Sequence, residues 1–432
     1  MSPMTVSILA LVVFLILIFN GLPIAFAFAI VGSGGLIILR GLEPGLSILA
    51  HTPFAWGTSV SILPLPLFIL MGQFAFHSNI SKDLYDTAYK WLGRLPGGIA
   101  LATTLASTAF AACCGVSMAG VATMASIAYP EMNKMKYSRR LATGCIVAGG
   151  GLSSLIPPSI GFIIFGFLTK TSVARLFIAG IVPGIMTSFL FLIITILMCI
   201  KNPELGPKGP SFSWRDRLIS LKGVCGMLIL FLIVVGGLYF GIFTPSEAGA
   251  TGASGALIIS IVTGRMNFTR LMNATKDTLK TSCFIITMII GANIFNTFLF
   301  VTGLTTTFSA WITYFEINRY IILISILILY IPLGMFLDIG AVLLLTVPIF
   351  VPPLVNLGFD PIWLGVLITM LGELGFMTPP VGVNLFVVQG VTHVPLSEVM
   401  IGSIPFAGML CLSVVIMVFF PQIILFLPNL IS

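Results

Sequence analysis

The sequence has very little charge. Only 8% of its 432 residues are Asp, Glu, Lys or Arg, 58% are hydrophobic, and mean hydropathy is +1.15. Soluble domains carry about a quarter charged residues, so this chain cannot build a water-facing surface over its length. Long polar runs are missing as well; the longest is 201–222. No G-x-x-x-x-G-K-[ST] phosphate loop is present, which excludes a nucleotide-driven pump. Histidine is nearly absent: His51, His77 and His393 lie at or near loop ends. The seven cysteines are odd in number, sit in apolar stretches and lack metal-ligand spacing, so they are expected as buried free thiols. Cys113 and Cys114, although adjacent, are read as small packing residues. The N-terminal apolar run has neither a charged n-region nor a small-residue cleavage site and is expected as a retained transmembrane helix. These absences leave an all-α polytopic membrane protein.

The formal net charge of +7 comes from basic residues in short loops between apolar runs, which suits a membrane topology and gives no sign of nucleic-acid binding. A shift of 222 residues lines up the two halves. It carries Pro23 onto Pro245, Pro130 onto Pro352, Pro157-Pro158 onto Pro379-Pro380, Gly180 onto Gly402 and Pro183 onto Pro405. One constant offset across the chain is the mark of a duplication. The expected organisation is a first repeat over 1–200, a cytoplasmic linker over 201–222 and a second repeat over 223–432.

Loop charge orients the repeats. The segment "EMNKMKYSRR" (131–140) carries Lys134, Lys136, Arg139 and Arg140, whereas its counterpart "PLVNLGFDPI" has no basic residue and one acid, Asp360. By the positive-inside rule the first is cytoplasmic and the second external, so the repeats are inverted. Lys170 and Arg175 run against that count. Two runs, about 95–130 and about 317–352, must begin and end on one side. Each is interrupted near its middle, at "CCGVSMAG" and "PLGMFLDIGA", and is expected to form a re-entrant helical hairpin, the alternative being two thin full crossings.

Two further helices, about 141–167 and about 362–390, contain adjacent prolines at "LIPPSIGFIIF" and "GFMTPPVGVNLF". Proline removes a backbone donor and clashes with the preceding turn, so each helix should break there. A broken helix exposes free carbonyls at one half-helix end and free amides at the other. Free carbonyls are hard ligands for a small cation, and amide ends suit an anion. Paired breaks at corresponding places in inverted repeats point to the binding site of a secondary transporter. The cation candidates of the second repeat are Gly375, Thr378 and Val381, with Gly334 at the hairpin interruption. Thr378 adds a hydroxyl oxygen. The offset gives Ser153, Ile156 and Ser159 in the first repeat, with Ala112 and Gly115 at its hairpin and Ser117 beside them. Asp338 and Glu373 are carboxylates within apolar sequence and are candidates for coupling or for fixing a hairpin. Neither aligns with an acid in the first half, so they are not symmetric ligands. Asn384 is a candidate for substrate contact or for bridging helices.

The phrases "LATGCIVAGGGLSSLIPPSIGFIIFGFLTKTSVARLFIAGIVPG" and "GELGFMTPPVGVNLFVVQGV", with "YPEM" (129–132) and "FLDIGAVLLLTVPIFVPP", resemble the large, DctM-like membrane subunit of tripartite ATP-independent periplasmic (TRAP) transporters. The resemblance covers nearly the whole chain. It implies an elevator mechanism, in which hairpins and broken helices slide against a scaffold in the bacterial inner membrane. It also implies sodium coupling, a small four-helix membrane subunit as partner, and a soluble periplasmic binding protein that delivers an organic acid. A C4-dicarboxylate, a sialic acid and another sugar acid all remain open. Family sodium sites lie at hairpin tips and broken helices and match the residues named above. The family's first hairpin commonly reads like "SGSSVA", whereas this chain has "CCGVSMA", which loses two hydroxyls but no backbone carbonyl. No enzymatic activity and no organic cofactor are expected. The rival enzyme, an intramembrane serine protease using Ser254 in "GASG", lacks a base, and small-residue helix packing explains that motif. The stronger rival is an autonomous ion-coupled anion symporter or channel that needs no binding protein.

Overall fold

The computed structural model describes residues 2–314 and 318–430. Residue 317, the start expected for the second hairpin, lies outside them, as do the outermost ends of both expected repeats. The first half comprises α1 (Pro3–Phe19), α2 (Ile24–Arg40), α3 (Leu42–Gly57), α4 (Pro64–His77), α5 (Ile80–Leu92), α6 (Gly98–Cys114), α7 (Ser117–Lys134), α8 (Arg139–Gly151), α9 (Ile160–Thr169) and α10 (Val173–Lys201). The second comprises α11 (Trp214–Tyr239), α12 (Pro245–Val262), α13 (Phe268–Thr302), α14 (Leu304–Tyr314), α15 (Arg319–Phe336), α16 (Ile339–Asn356), α17 (Pro361–Met377), α18 (Val383–Thr392), α19 (Leu396–Phe419) and α20 (Gln422–Asn429). Among the described residues there is no β-strand. The protein is all-α.

Adding 222 to the bounds of α7 returns those of α16, and adding it to Arg139 at the start of α8 returns Pro361 at the start of α17. The one clear departure is α13, a single helix that covers the ground of α3 and α4 together. Both Pro-Pro bonds, Pro157-Pro158 and Pro379-Pro380, are cis.

Among the described residues, seven helical segments are long and apolar enough to cross a membrane singly. Large hydrophobic side chains such as Phe54, Phe189, Leu232 and Phe300 are exposed. This is the surface expected where the solvent is hydrocarbon and apolar side chains gain nothing by turning inward. The same reasoning corrects the expectation for cysteine. Cys113, Cys114, Cys145 and Cys199 are buried and free, but Cys225, Cys283 and Cys411 are exposed. An apolar stretch in a membrane protein does not imply a protein-facing one.

Close helix packing supplies what hydrophobicity cannot. A methyl group placed on Gly252 falls 2.5 Å from the Met71 sulfur, and one on Gly255 the same distance from Leu230. The "GASG" motif is therefore a helix contact between α12, α4 and α11. Phe14, Phe28 and Phe295 stack where α1, α2 and α13 meet. Polar ties add to this packing: His77 Nε2 of α4 lies 3.0 Å from Asp277 Oδ2 of α13, and the Arg265 guanidinium, between α12 and α13, donates to Asp83 of α5.

The linker is shorter than expected. Its polar residues from Trp214 to Lys222 already belong to α11, because Ser213 caps that helix by accepting from the Asp216 amide. The polar stretch 265–280 is likewise helical from Phe268, where Asn267 accepts from the Arg270 amide. In both places charge at a helix end was legible, but the caps that continue the helix through it carry the structure.

Candidate functional site

In the first half, α8 ends at Gly151, a single 3-10 turn covers Leu152–Ser154, and the chain stays irregular until α9 begins. Ser159 caps α9 by accepting from the Phe162 amide, while its own hydroxyl donates to the Ser154 carbonyl. Ser153, Ile156 and Ser159 are all buried. Ser153 Oγ has no hydrogen-bond partner.

In the second half, α17 ends at Met377. The Thr378 amide donates to Gly375 O at 3.1 Å, and its hydroxyl donates to Leu374 O. No side chain caps α18; Gly382 precedes it with φ +44°. A methyl group on Gly382 would lie 2.9 Å from both Phe376 O and Thr378 O, so these carbonyls converge on its bare Cα. Thr378 and Val381 are half-exposed, in contrast with their buried counterparts.

Each helical hairpin lies against the broken helix of its own half. At α6–α7, Gly115 has φ +65°, and its carbonyl accepts from the Ile160 amide at 3.3 Å. A methyl on Gly115 would fall 2.7 Å from Pro158 O. At α15–α16 the helix breaks at Leu337–Asp338. Gly334 is thus within the last turn of α15 and not at the interruption itself, which corrects the expectation. A methyl there would fall 2.6 Å from Gly372 O, and one on Gly375 2.6 Å from Gly334 Cα. Ala112 holds the matching place in the last turn of α6, where carbonyls have no intrahelical donor.

The halves also meet each other: α7 packs on α18, and α9 on α16. At the first of these junctions lies Glu373, 1% exposed, between elements of both halves. Its Oε1 accepts from Ser117 Oγ at 2.7 Å and Asn384 Nδ2 at 2.9 Å; its Oε2 accepts from Ser154 Oγ at 2.8 Å. Asn384 Nδ2 also donates to Ser117 Oγ at 2.8 Å, and Asn384 Oδ1 is buried without a partner. Four elements are tied in this way: α7, the 3-10 turn of the first break, α17 and α18. None of these bonds involves a positive charge.

The structure therefore separates the two carboxylates grouped in sequence. Asp338 caps α16 by accepting from the Ala341 amide at 3.1 Å and joins no cluster with Glu373. Asn384 bridges helices. Ser117, placed beside the hairpin tip in sequence, joins Glu373 at the centre. Two participants escaped the sequence reading. Ser154 follows a selected residue but points the other way, into the carboxyl. Gly151 passes so close to it that a methyl would fall 2.5 Å from Glu373 Oε1. The 222 offset held that signal, because it carries Gly151 onto Glu373: the carboxyl fills the space its own counterpart leaves empty.

Residues 11–423 match the family model described as the tripartite ATP-independent periplasmic transporter, DctM component. The C4-dicarboxylate TRAP transporter large permease protein DctM of Pseudomonas aeruginosa is 34% identical over 398 residues, covering 92% of this chain and 93% of that protein. The ectoine TRAP transporter large permease protein of Halomonas elongata is 29% identical, covering 99% of each chain. The sialic acid TRAP transporter large permease protein of Vibrio cholerae is 27% identical over 96% of each. Among solved structures, the YdaH transporter of Alcanivorax borkumensis shares the fold, with a TM-score of 0.63 over 90% of this chain and 91% of that one at 13% identity.

Proposed function

The chain belongs to the DctM family, the large permease component of TRAP transporters and hence a multi-pass inner-membrane transport protein rather than an enzyme, and from that premise we propose that it drives sodium-coupled uptake of an organic acid. The acid, a C4-dicarboxylate, a sialic acid or another sugar acid, is delivered by a periplasmic binding protein, and a small four-helix membrane subunit completes the assembly. The two repeats are inverted. Hairpins α6–α7 and α15–α16 and the broken helices α8–α9 and α17–α18 move together, as an elevator, against the remaining helices.

The observation that carries this reading is the doubled contact between a hairpin and the broken helix of its own half, Gly115 of the first turn on Pro158, and Gly334 in the last turn of α15 on Gly375 in the last turn of α17. Each contact gathers helix-end carbonyls at one place, and such carbonyls are ligands for a small hard cation. Sodium is assigned to Gly334, Gly375, Thr378 and Val381 in the second repeat. In the first it is assigned to Ala112, Gly115, Ser153, Ile156 and Ser159. The partnerless Ser153 hydroxyl supports the first-repeat set. Relatives whose names carry C4-dicarboxylate, ectoine and sialic acid leave the substrate class to the delivering protein.

The test is thermal unfolding of the full chain in sodium against potassium at constant ionic strength. An ion that binds only the folded form stabilises it by about 2.7 kcal/mol at a hundredfold excess over Kd. A saturable, sodium-specific rise is expected, and Thr378→Ala should weaken it more than it lowers the midpoint without sodium. A Thr378→Ala protein with an unchanged sodium response removes that hydroxyl from the site. Uptake that proceeds without any binding protein would instead support an autonomous symporter.

A further inference from the structure

The offset that relates the halves also relates two places that are finished differently. In the first half, the start of α6 and the turn before α8 hold the linker. The Gly97 amide donates to Gly206 O at 3.0 Å, the Ser138 amide to Leu205 O at 2.9 Å, and the Tyr137 hydroxyl to Pro207 O at 2.8 Å. Adding 222 carries Gly97, Tyr137 and Ser138 onto Arg319, Phe359 and Asp360. There the covering chain does not arrive. The counterparts of Leu205, Gly206 and Pro207 are Leu427, Pro428 and Asn429, which end α20, and that helix packs mainly on α10. A groove of about 690 Å³ is left between α15, α17, α19 and α20, with Arg319, Phe359 and Asp360 among the residues that line it.

The groove runs from a membrane surface into hydrocarbon. Both α15 and α19 are long and apolar enough to span a bilayer. The walls are apolar: Ile324 and Ile328 on α15, Leu371 on α17, Val415 and Phe419 on α19, and Leu425 on α20. From Arg319 the lining reaches Ile331, about 18 Å along α15 at 1.5 Å per residue. That is a little over half of a hydrocarbon core about 30 Å thick, the depth of one leaflet. Aromatic rings mark the other end. Phe359 lies 5.7 Å from Tyr320 and 5.6 Å from Trp363, between centroids, as rings cluster where membrane meets water.

The mouth carries one charge of each sign. The Arg319 guanidinium carbon lies 5.1 Å from the Tyr320 ring centre and 5.5 Å from that of Phe359, which holds the side chain against both rings. Its hydrogen bonds to protein are long: 3.5 Å to Leu357 O and 3.3 Å to the Tyr320 hydroxyl. The ion pairs among the described residues, His77–Asp277, Lys134–Glu131 and Arg265–Asp83, do not involve it. A guanidinium has five N–H donors in a fork that fits a phosphate bidentately. Asp360 accepts both of its α17 amides on Oδ1, and among the described residues Oδ2 accepts nothing. A cation and an anion at one mouth complement a zwitterion.

We propose that this groove binds one zwitterionic phospholipid with an ammonium headgroup, a phosphatidylethanolamine. The phosphodiester sits on Arg319, the ammonium turns to Asp360 Oδ2, and an acyl chain lies along the groove. The lipid closes in the second half the face that the linker closes in the first. None of the lining residues is among those assigned to sodium.

Native mass spectrometry of the full chain released from detergent reads the lipid, with dioleoyl phosphatidylethanolamine and the net-negative dioleoyl phosphatidylglycerol as probes. The wild type is expected to keep one phosphatidylethanolamine through activation that strips other lipids, and to bind it several-fold more tightly than phosphatidylglycerol. Arg319→Gln should lose about tenfold in affinity, as for one charge-assisted contact. Ile328→Trp and Val415→Trp fill the groove, and each should expel the lipid; both positions are exposed, so no packed interior is disturbed. Ile321→Trp, exposed on the same helix but off the groove, should keep it. Asp360→Asn preserves a helix cap without the charge and should bring the two lipids to equal affinity. A wild type that holds phosphatidylethanolamine no better than Ile328→Trp does, or no better than it holds phosphatidylglycerol, would overturn the proposal. So would an Ile328→Trp protein that keeps its lipid but no longer co-purifies with the small membrane subunit, since the groove would then be a protein face.

Discussion

The α7–α18 and α9–α16 junctions occupy corresponding places in the two halves and are built from opposite materials. At α7–α18 the contact is polar: Ser117, Asn384 and Ser154 converge on Glu373. The offset maps these residues onto Ile339, Phe162, Phe376 and Gly151, none of which carries a charge. The devices that shape the turns are exchanged as well. In the first half a positive-φ glycine, Gly115, makes the hairpin turn, and a serine caps the helix after the break. In the second half Asp338 caps the helix after the hairpin turn, and a positive-φ glycine, Gly382, precedes the helix after the break. The difference teaches that the duplication fixes where the backbone must turn, while the chemistry that turns it is free to diverge.

The largest expected effect separates two counterpart positions by what they contact. Phe162 is fully buried with its ring against Gly180 of α10, and Phe162→Ala should cost about 3–5 kcal/mol as a cavity. Its counterpart Asn384 holds a polar contact; Asn384→Ala removes donors from Ser117 and Glu373 and should cost about 1–3 kcal/mol. Thermal unfolding of both variants measures the contrast. A cost at Asn384→Ala equal to that at Phe162→Ala would mean that the polar position matters through its volume as much as through its hydrogen bonds.

How much of this was legible in the sequence depends on the scale of the pattern. The all-α class and both helix breaks followed from apolar length and paired prolines, because both rest on backbone physics that a side chain cannot override. Placement of the hairpin tip slipped by one turn, from Gly334 to Leu337–Asp338, since glycine signals close approach as readily as a turn. Glu373 stood out as an acid in apolar sequence, and Ser117 and Asn384 were singled out as well, but their meeting and the part of Ser154 were not legible. Ser154 looks like any hydroxyl, and which of two adjacent serines faces a helix on the other half is a matter of tertiary geometry. The linker ended early because Ser213 caps α11 through residues whose charge reads as loop. The outward cysteines could not be told from inward ones, because hydrocarbon and protein interior make the same demand on composition.

A second contrast is steric. Both hairpins lie against backbone, but the bare Cα stands at different positions: Gly115, whose counterpart is Leu337, and Gly334, whose counterpart is Ala112. Gly115→Ala meets a carbonyl that cannot yield and a φ that L-residues avoid, and should cost on the order of 3 kcal/mol. Gly334→Ala meets Gly372 O without the φ penalty and should cost about 2 kcal/mol. Ala112→Gly, which only loosens a helix, should cost no more than about 1 kcal/mol. If Ala112→Gly were as harmful as Gly334→Ala, the two hairpins would share one packing rule after all.

The smallest effect concerns the first turns of the two broken helices. Asp360 caps α17 by accepting from the amides of Ile362, at 2.7 Å, and Trp363, at 3.2 Å. Its counterpart Ser138 precedes α8 without any side-chain bond to the first turn. Asp360→Ala should therefore cost about 1 kcal/mol, the usual loss of a cap. Ser138→Ala should cost close to nothing, because there is no such bond to lose. Ser138→Asp should gain a few tenths of a kcal/mol if the shorter hydroxyl is what fails to reach, since a carboxylate near a helix N-terminus is favourable. Thermal unfolding of the three variants at fixed ionic strength decides it. A loss at Ser138→Ala equal to that at Asp360→Ala would show that α8 and α17 are capped alike and erase this difference between the halves.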